Sequence, residues 1–249
     1  MSKLYEKFKD RELITLKEIK KEFPKINHKA TIKYLLKNEK WTLIQKGIYK
    51  NNNFYEVNKF ILASSLVDDA LLGYHAALEV WGVAQSVYNT VHILTAKNQD
   101  VKPKTIDGIL YQPVKKTIDK GIAKVPMGSH AILCIDQERM VIDCIDKLKY
   151  VGGLEEYFKS ISSVHYINEK KIIEYLKAYD KISLYHKVGF VLDHFKSQWN
   201  LSEYTLKTIE NEVSRKKAVL LDSSKKEVSF INKWNLLIPK NFKALVNEY

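Results

Sequence analysis

Cysteine is scarce in this chain: only Cys134 and Cys144 occur in 249 residues. The two match no metal-ligand spacing, and two thiols do not make a disulfide scaffold, so a reducing cytoplasm is the expected setting. Long apolar runs are absent as well, with no stretch of about 18 such residues from which a membrane helix could be built. The N-terminal stretch MSKLYEKFKDRE is charged throughout and lacks the apolar core of a secretion signal. No repeat or low-complexity segment occurs. Gly152-Gly153 is not followed by Lys-Ser/Thr, which excludes a phosphate-binding loop and leaves a helix break as the reading. An intracellular protein without a disulfide framework, a metal ligand set or a cofactor motif is therefore expected.

Basic charge is plentiful and unevenly placed. The chain carries 41 Lys+Arg against 29 Asp+Glu, a net +12, and 45 % apolar residues, enough to fill one large or two ordinary cores. Residues 1–53 hold 14 basic and 6 acidic residues, so +8 falls on the first fifth of the sequence and +4 on the remaining 196 residues. A positive field concentrated on a small segment is the footprint of a phosphate-backbone binder.

That segment has a recognisable order. Thr15-Leu16-Lys17-Glu18 fits a capping box, in which the Thr hydroxyl and the Glu carboxylate satisfy free backbone N–H groups at a helix start. The helix should begin at Leu16, carry Leu16, Ile19 and Phe23 at helical spacing, and stop before Pro24. Asn27 suits the N-cap of a second helix whose apolar stripe is Ile32, Leu35 and Leu36. At 100° per residue, Ala30, Lys33, Tyr34 and Lys37 point away from the stripe, with Lys29 at its edge. After Asn38 the period falls to 2: Trp41, Leu43 and Gln45 alternate with Thr42 and Ile44, Lys46-Gly47 offers a turn, and Ile48-Tyr49-Lys50 returns. Helix, turn, helix and a Lys-tipped hairpin is the pattern of a winged helix-turn-helix, in which the second helix enters the major groove and the wing lies along the phosphates. The expected DNA contacts are Asn27, Lys29, Ala30, Lys33, Tyr34, Lys37, Lys46 and Tyr49, and the expected partner is double-stranded operator DNA.

Met1 to Glu12 reads as a preceding helix with Leu4, Tyr5 and Phe8 on one side. Asn51-Asn52-Asn53 reads as a polar exit from the wing, which places the domain boundary there: 1–53 and 54–249. Beyond it, the segment from Phe54 suggests two helices broken near Asp68, the second starting around Gly73. Residues 91–95, 106–114, 122–125 and 130–135 suggest strands. Helices are expected over 138–147, 154–160, 168–178, 182–196 and 203–220, and a late strand over 234–238. The fold class expected is α+β: an N-terminal winged helix-turn-helix and a larger mixed α/β domain with a helical C-terminal half.

Candidate enzyme sites in the larger part are weak. Met127-Gly128-Ser129 followed by Asp136-Gln137-Glu138 has the ingredients of a nucleotidyltransferase metal site. The spacing is short, however, and Asp136 suits a helix N-cap with Glu138 in the first turn, where negative charge meets the helix dipole. Asp107 with Ile122-Ala123-Lys124 could furnish parts of a nuclease site but has no anchoring spacing. His75 and His92 read as hydrogen-bonded structural residues. Of the 15 tyrosines, Tyr157, Tyr175 and Tyr185 fall at helical spacing with aliphatic residues and read as half-buried core or interface residues. Arg215-Lys216-Lys217 and Lys225-Lys226 read as solvated basic clusters.

The N-terminal pattern, with the segments LLGYHAALEVWGV and DQERMVIDCIDKLKYVGGLEE and the ending KWNLLIP, resembles the AbiEi family, the antitoxin and regulator components of type IV (abortive-infection) toxin–antitoxin systems. The resemblance spans nearly the whole chain in order, through loose hydrophobic-plus-glycine patterns. It implies a repressor of its own operon whose C-terminal domain counters a cognate nucleotidyltransferase-like toxin. The alternative class is a nuclease or nucleotidyltransferase targeted by a winged helix.

Overall fold

The computed structural model describes residues 3–96, 100–224 and 226–246. They divide into two compact units, one made of residues 1–71 with 124–133 and the other of residues 72–123 with 134–249. Asn53 therefore lies within the first unit.

In the first unit, α1 (Lys3–Phe8) is followed by strand β1 (Leu13–Thr15), α2 (Leu16–Glu22), α3 (His28–Lys37), β2 (Trp41–Gln45), β3 (Ile48–Asn51) and α4 (Lys59–Leu66). The capping box forms as its residues dictate. Thr15 Oγ1 accepts from the Glu18 amide at 3.2 Å and Glu18 Oε2 accepts from the Thr15 amide at 2.8 Å. Asn27 caps α3 through the Ala30 amide at 3.0 Å. β1 was not foreseen: Leu13–Thr15 pairs antiparallel with β3, giving a three-stranded sheet of order β1-β3-β2. Leu4, Tyr5, Phe8, Ile14, Ile19, Ile32, Leu35, Trp41 and Tyr49 make the core beneath it. Trp41 is fully buried, with Phe8 edge-on at 6.4 Å and Tyr49 at 5.9 Å.

Strict alternation along 41–45 fails because a register shift between Leu43 and Gln45 turns the strand, leaving Leu43 52 % exposed. Asn51 is not part of a solvated exit. It ends β3, is fully buried, and places its amide nitrogen 3.2, 2.8 and 3.0 Å from the carbonyls of Phe8, Lys9 and Arg11. One side chain thus satisfies the frayed end of α1, which stops at Phe8 rather than Glu12.

The chain continues through β4 (Leu71–Leu72), α5 (His75–Val80), β5 (Thr90–Thr95), β6 (Lys104–Ile106), β7 (Ile109–Lys115), β8 (Ile122–Met127), β9 (His130–Ile135) and α6 (Gln137–Asp146). A 3-10 turn at Leu148–Tyr150 leads to α7 (Leu154–Ile161), α8 (Glu169–Tyr179), α9 (Ile182–His194), α10 (Glu203–Asn211), β10 (Val219–Leu220), β11 (Val228–Ile231), β12 (Leu236–Pro239) and α11 (Phe242–Leu245). The strand order is β6-β7-β5-β4-β9-β8, with residues 124–133 of the β8–β9 hairpin grouping with the first unit. Parallel pairing of β5 with β7 and of β4 with β9 is nonlocal. The β6–β7 hairpin is local: Asp107 and Gly108 both take positive φ, 48° and 77°, as a two-residue mirror-image turn requires. The fold is mixed α+β, and none of the described helices is long and apolar enough to cross a membrane.

α6 is buried from Glu138 to Ile145 and organises the second unit. Arg139, with no exposed surface, donates from Nε to Asp143 Oδ2 at 3.1 Å and from a terminal nitrogen to the carbonyls of Ile118 and Lys120 at 3.1 and 2.7 Å. The helix expected over 203–220 ends at Asn211, because Val219 and Leu220 pair in parallel with Leu236 and Leu237 of β12. Trp234 and Asn235 fall in the turn before that strand, with Asn235 at φ 43°.

Candidate nucleic-acid interface

The Asn27 cap starts α3 so that its two faces separate cleanly. Ile32 and Leu35 are buried, while Lys29, Ala30, Lys33, Tyr34 and Lys37 are exposed, Tyr34 by 55 %. Asn27 is exposed too, although its Oδ1 is occupied by the cap. Six of the eight residues expected at DNA therefore share one helix and its cap, and Lys46 is exposed at the tip of the β2–β3 hairpin. Tyr49 is placed differently. It is 7 % exposed, stacks obliquely on Trp41, and its phenol is pushed above the ordinary tyrosine value by burial, so it backs the hairpin from within the core.

The hairpin tip is anchored. Gly47 takes φ +83°, and its carbonyl accepts from the Leu16 amide at 2.7 Å, one of the N–H groups left free at the start of α2. Between α2, α3 and the hairpin runs a groove with an apolar floor of Leu16, Ile32, Leu36 and Tyr49. Lys20, Lys29, Lys33 and Lys37 form its rim, joined by His28, whose Nε2 lies 2.8 Å from the Phe23 carbonyl. The sequence reading missed Lys20 and His28. Lys20 was detectable in principle, since it falls one turn after Leu16 on α2.

The basic residues of the first unit are paired only in part, and the unpaired ones are not confined to this face: Lys3, Lys21, Lys25, Lys40 and Lys50 also enter no ion pair among the described residues. Lys7, Arg11 and Lys17 in the same unit pair with Glu22, Glu18 and Asp68 at 3.6, 2.8 and 3.2 Å. Among the described residues, Lys20, Lys29, Lys33, Lys37 and Lys46 enter no ion pair. Unpaired lysines on a capped, rigid helix can neutralise a polyanion without first surrendering an internal partner.

No protein-family model matches the chain, and no curated protein matches it either. Among solved structures, the fold is similar to that of the RV2827C protein from Mycobacterium tuberculosis. The TM-score is 0.64 at 11 % sequence identity, over 98 % of this chain and 92 % of that one. A likeness at that identity is a likeness of fold.

The residues considered for catalysis occupy structural positions. Asp136 caps α6, with Oδ1 accepting from the Arg139 amide at 3.0 Å, and its Oδ2 accepts from the Tyr175 hydroxyl at 2.8 Å and Lys171 Nζ at 3.1 Å. Glu138 accepts from the Asn168 amide at 2.9 Å and from the same Lys171 at 3.2 Å. Both carboxylates thus tie α6 to α8, a larger role than the helix-start one expected. Gly128-Ser129 is the β8–β9 turn, Asp107 sits in the β6–β7 turn, and Lys124 lies on β8. Cys134 and Cys144 are free and buried, and burial raises both thiols above their ordinary value.

His75 is fully buried, with Nδ1 3.1 Å from Glu79 Oε1, Nε2 3.3 Å from both Ser86 Oγ and Glu156 Oε1, and the Tyr88 ring stacked at 3.8 Å. It pins the loop after α5, as a structural histidine does. His92 departs from expectation: it is buried, and its Nδ1 has no hydrogen-bond partner among the described residues. Burial, reinforced by His75, pushes its pKa from 6.5 down to about 4. Arg215, Lys216 and Lys217 are exposed, as a solvated cluster would be, and Arg215 also donates to the Asn232 carbonyl at 2.7 Å; Lys225 lies outside the described residues.

Proposed function

We propose that this chain is a DNA-binding autoregulator and antitoxin of the AbiEi type, acting in the cytoplasm. Its first unit is read as a winged helix-turn-helix, with α3 entering the major groove and the β2–β3 hairpin serving as the wing. The observation that carries the reading is the row of exposed lysines, Lys29, Lys33 and Lys37, on one face of α3, unpaired among the described residues. Lys29, Lys33, Lys37 and Lys46 meet phosphates in this account. Ala30 and Tyr34, between them on the same face, meet base edges. Asn27 and Tyr49 act from behind, one setting the helix start and the other holding the hairpin.

The second unit is assigned the antitoxin role through the family resemblance of LLGYHAALEVWGV, DQERMVIDCIDKLKYVGGLEE and KWNLLIP. Its partner in this reading is a nucleotidyltransferase-like toxin encoded beside it. Two experiments test the two halves. A duplex carrying the promoter of this chain's own gene should be protected from nuclease digestion by the full chain, over a discrete site, and an unrelated duplex should not. Co-expression with the adjacent nucleotidyltransferase-like reading frame should restore growth. Absence of any protected site removes the regulator half, and continued growth arrest removes the antitoxin half.

A further inference from the structure

The second unit contains a cleft where the end of α6, the turn leading to α7, the middle of α9 and the segment after β10 come together. Its walls include Asp146, Lys147, Lys149, Lys187, Asp222, Ser223 and Ser224. Lys187 stands on α9 between buried Leu184, His186, Val188 and Val191, so its stem is enclosed and its ammonium emerges at the cleft. Among the described residues, the one acceptor it meets is the Ile145 carbonyl at 3.4 Å, in the last turn of α6, a long contact for an ammonium. It has no ion pair among the described residues. An ammonium carries three N–H donors, and leaving a half-buried charge without a counter-ion is costly.

Two carboxylates also line the cleft. Asp146 is bridged to Lys181 and lies 3.9 Å from Lys147, and Asp222 Oδ1 accepts from the Ser224 amide at 2.9 Å. Burial pushes the Lys187 ammonium below the ordinary lysine value, and the positive charges of Lys181 and Lys147 act in the same direction against Asp146 and Asp222.

We propose that this cleft is a binding site for a phosphate group carried by a small molecule, with Lys187 at its base, Lys147 and Lys149 at its rim, and the Ser223 and Ser224 hydroxyls as additional donors. Three ammonium groups and two hydroxyls arriving from separate chain segments suit a tetrahedral dianion with acceptors on every side, and lysine binds phosphate as a point charge without a fixed plane. A lysine that only capped the α6 C-terminus would need neither the two rim lysines nor an open cleft around it.

The test uses the full chain, followed by isothermal titration and thermal melting. Inorganic phosphate, pyrophosphate and AMP are added at constant ionic strength, with chloride as control. Saturable phosphate-dependent binding and a raised melting temperature are expected. Tighter binding of AMP than of phosphate would place the group on a nucleoside, and equal binding would place recognition in the phosphate alone. Lys187→Met, which keeps the apolar stem, should weaken binding at least about tenfold while melting no lower than the parent without phosphate. Should that variant fail to fold, the surface pair Lys149→Gln with Ser224→Ala should show the same loss. No phosphate effect beyond chloride, or full phosphate binding by a folded Lys187→Met chain, overturns the proposal.

Discussion

Gly189 and Trp234 meet as bare backbone against ring: a Cβ on Gly189 would fall 2.2 Å from Trp234 Cζ3. Glycine inside a helix ordinarily costs about 1 kcal/mol relative to alanine. Here it is what lets α9 approach a fully buried tryptophan whose Nε1 donates to Asp193 at 3.0 Å on the same helix. Gly189→Ala should therefore destabilise the chain by about 1–3 kcal/mol, opposite in sign to the helix-propensity effect. Urea unfolding reads it, and a stabilised variant would mean that the ring shifts freely.

The Asp136 carboxylate caps α6 and also receives Tyr175 and Lys171. Asp136→Ala should cost more than the roughly 1 kcal/mol of an ordinary cap, about 2–3 kcal/mol, because charged hydrogen bonds are lost with it. Asp136→Asn, which can still cap, should recover part of that. Equal losses in the two variants would assign the stability to charge alone.

Acid should act through His92. The folded chain keeps it neutral down to about pH 4, whereas the unfolded chain takes up a proton near 6.5. The unfolded state thus binds more protons between these values, so stability falls as pH drops from about 6.5 to about 4, by about 3 kcal/mol in all. His92→Phe, which keeps a ring beside Tyr74 and Tyr150 at its present 5.7 and 4.6 Å, should flatten that slope. An unchanged pH profile of the melting temperature would place the acid sensitivity elsewhere.

What could be read in advance was local. The Thr15–Glu18 box, the Asn27 and Asp136 caps, and the 130–135 strand all depend on residues a few positions apart, and each occurs where the spacing placed it. What could not be read was nonlocal. β1 is a strand only because β3 lies beside it, and Asn51 is buried because the end of α1, some 40 residues earlier, needs its amide. The same limit applied to the site. The exposed face of α3 followed from helical geometry, but the inward turn of Tyr49 depended on Trp41 and on a register shift in the facing strand that no alternation pattern announces.

Gly47 ties the β2–β3 hairpin to α2. A β-branched residue at φ +83° is strained, and a Cβ there would sit 3.5 Å from the Leu16 Cβ. Gly47→Val should lower the melting temperature, displace Lys46, and weaken duplex binding severalfold. Gly47→Asn, which tolerates positive φ, should lose less. Parent-like affinity in the valine variant would leave the hairpin without a role at DNA.

The central claim is that α3 meets the phosphate backbone through its unpaired lysines. Its most direct test is the affinity of the full chain for a promoter duplex measured across a salt series, for the parent and for Lys33→Ala with Lys37→Ala. Removing two phosphate contacts should reduce the slope of log K against log salt by about 2 and weaken specific and nonspecific duplexes alike. A folded double variant with the parent's affinity and salt slope would contradict the account.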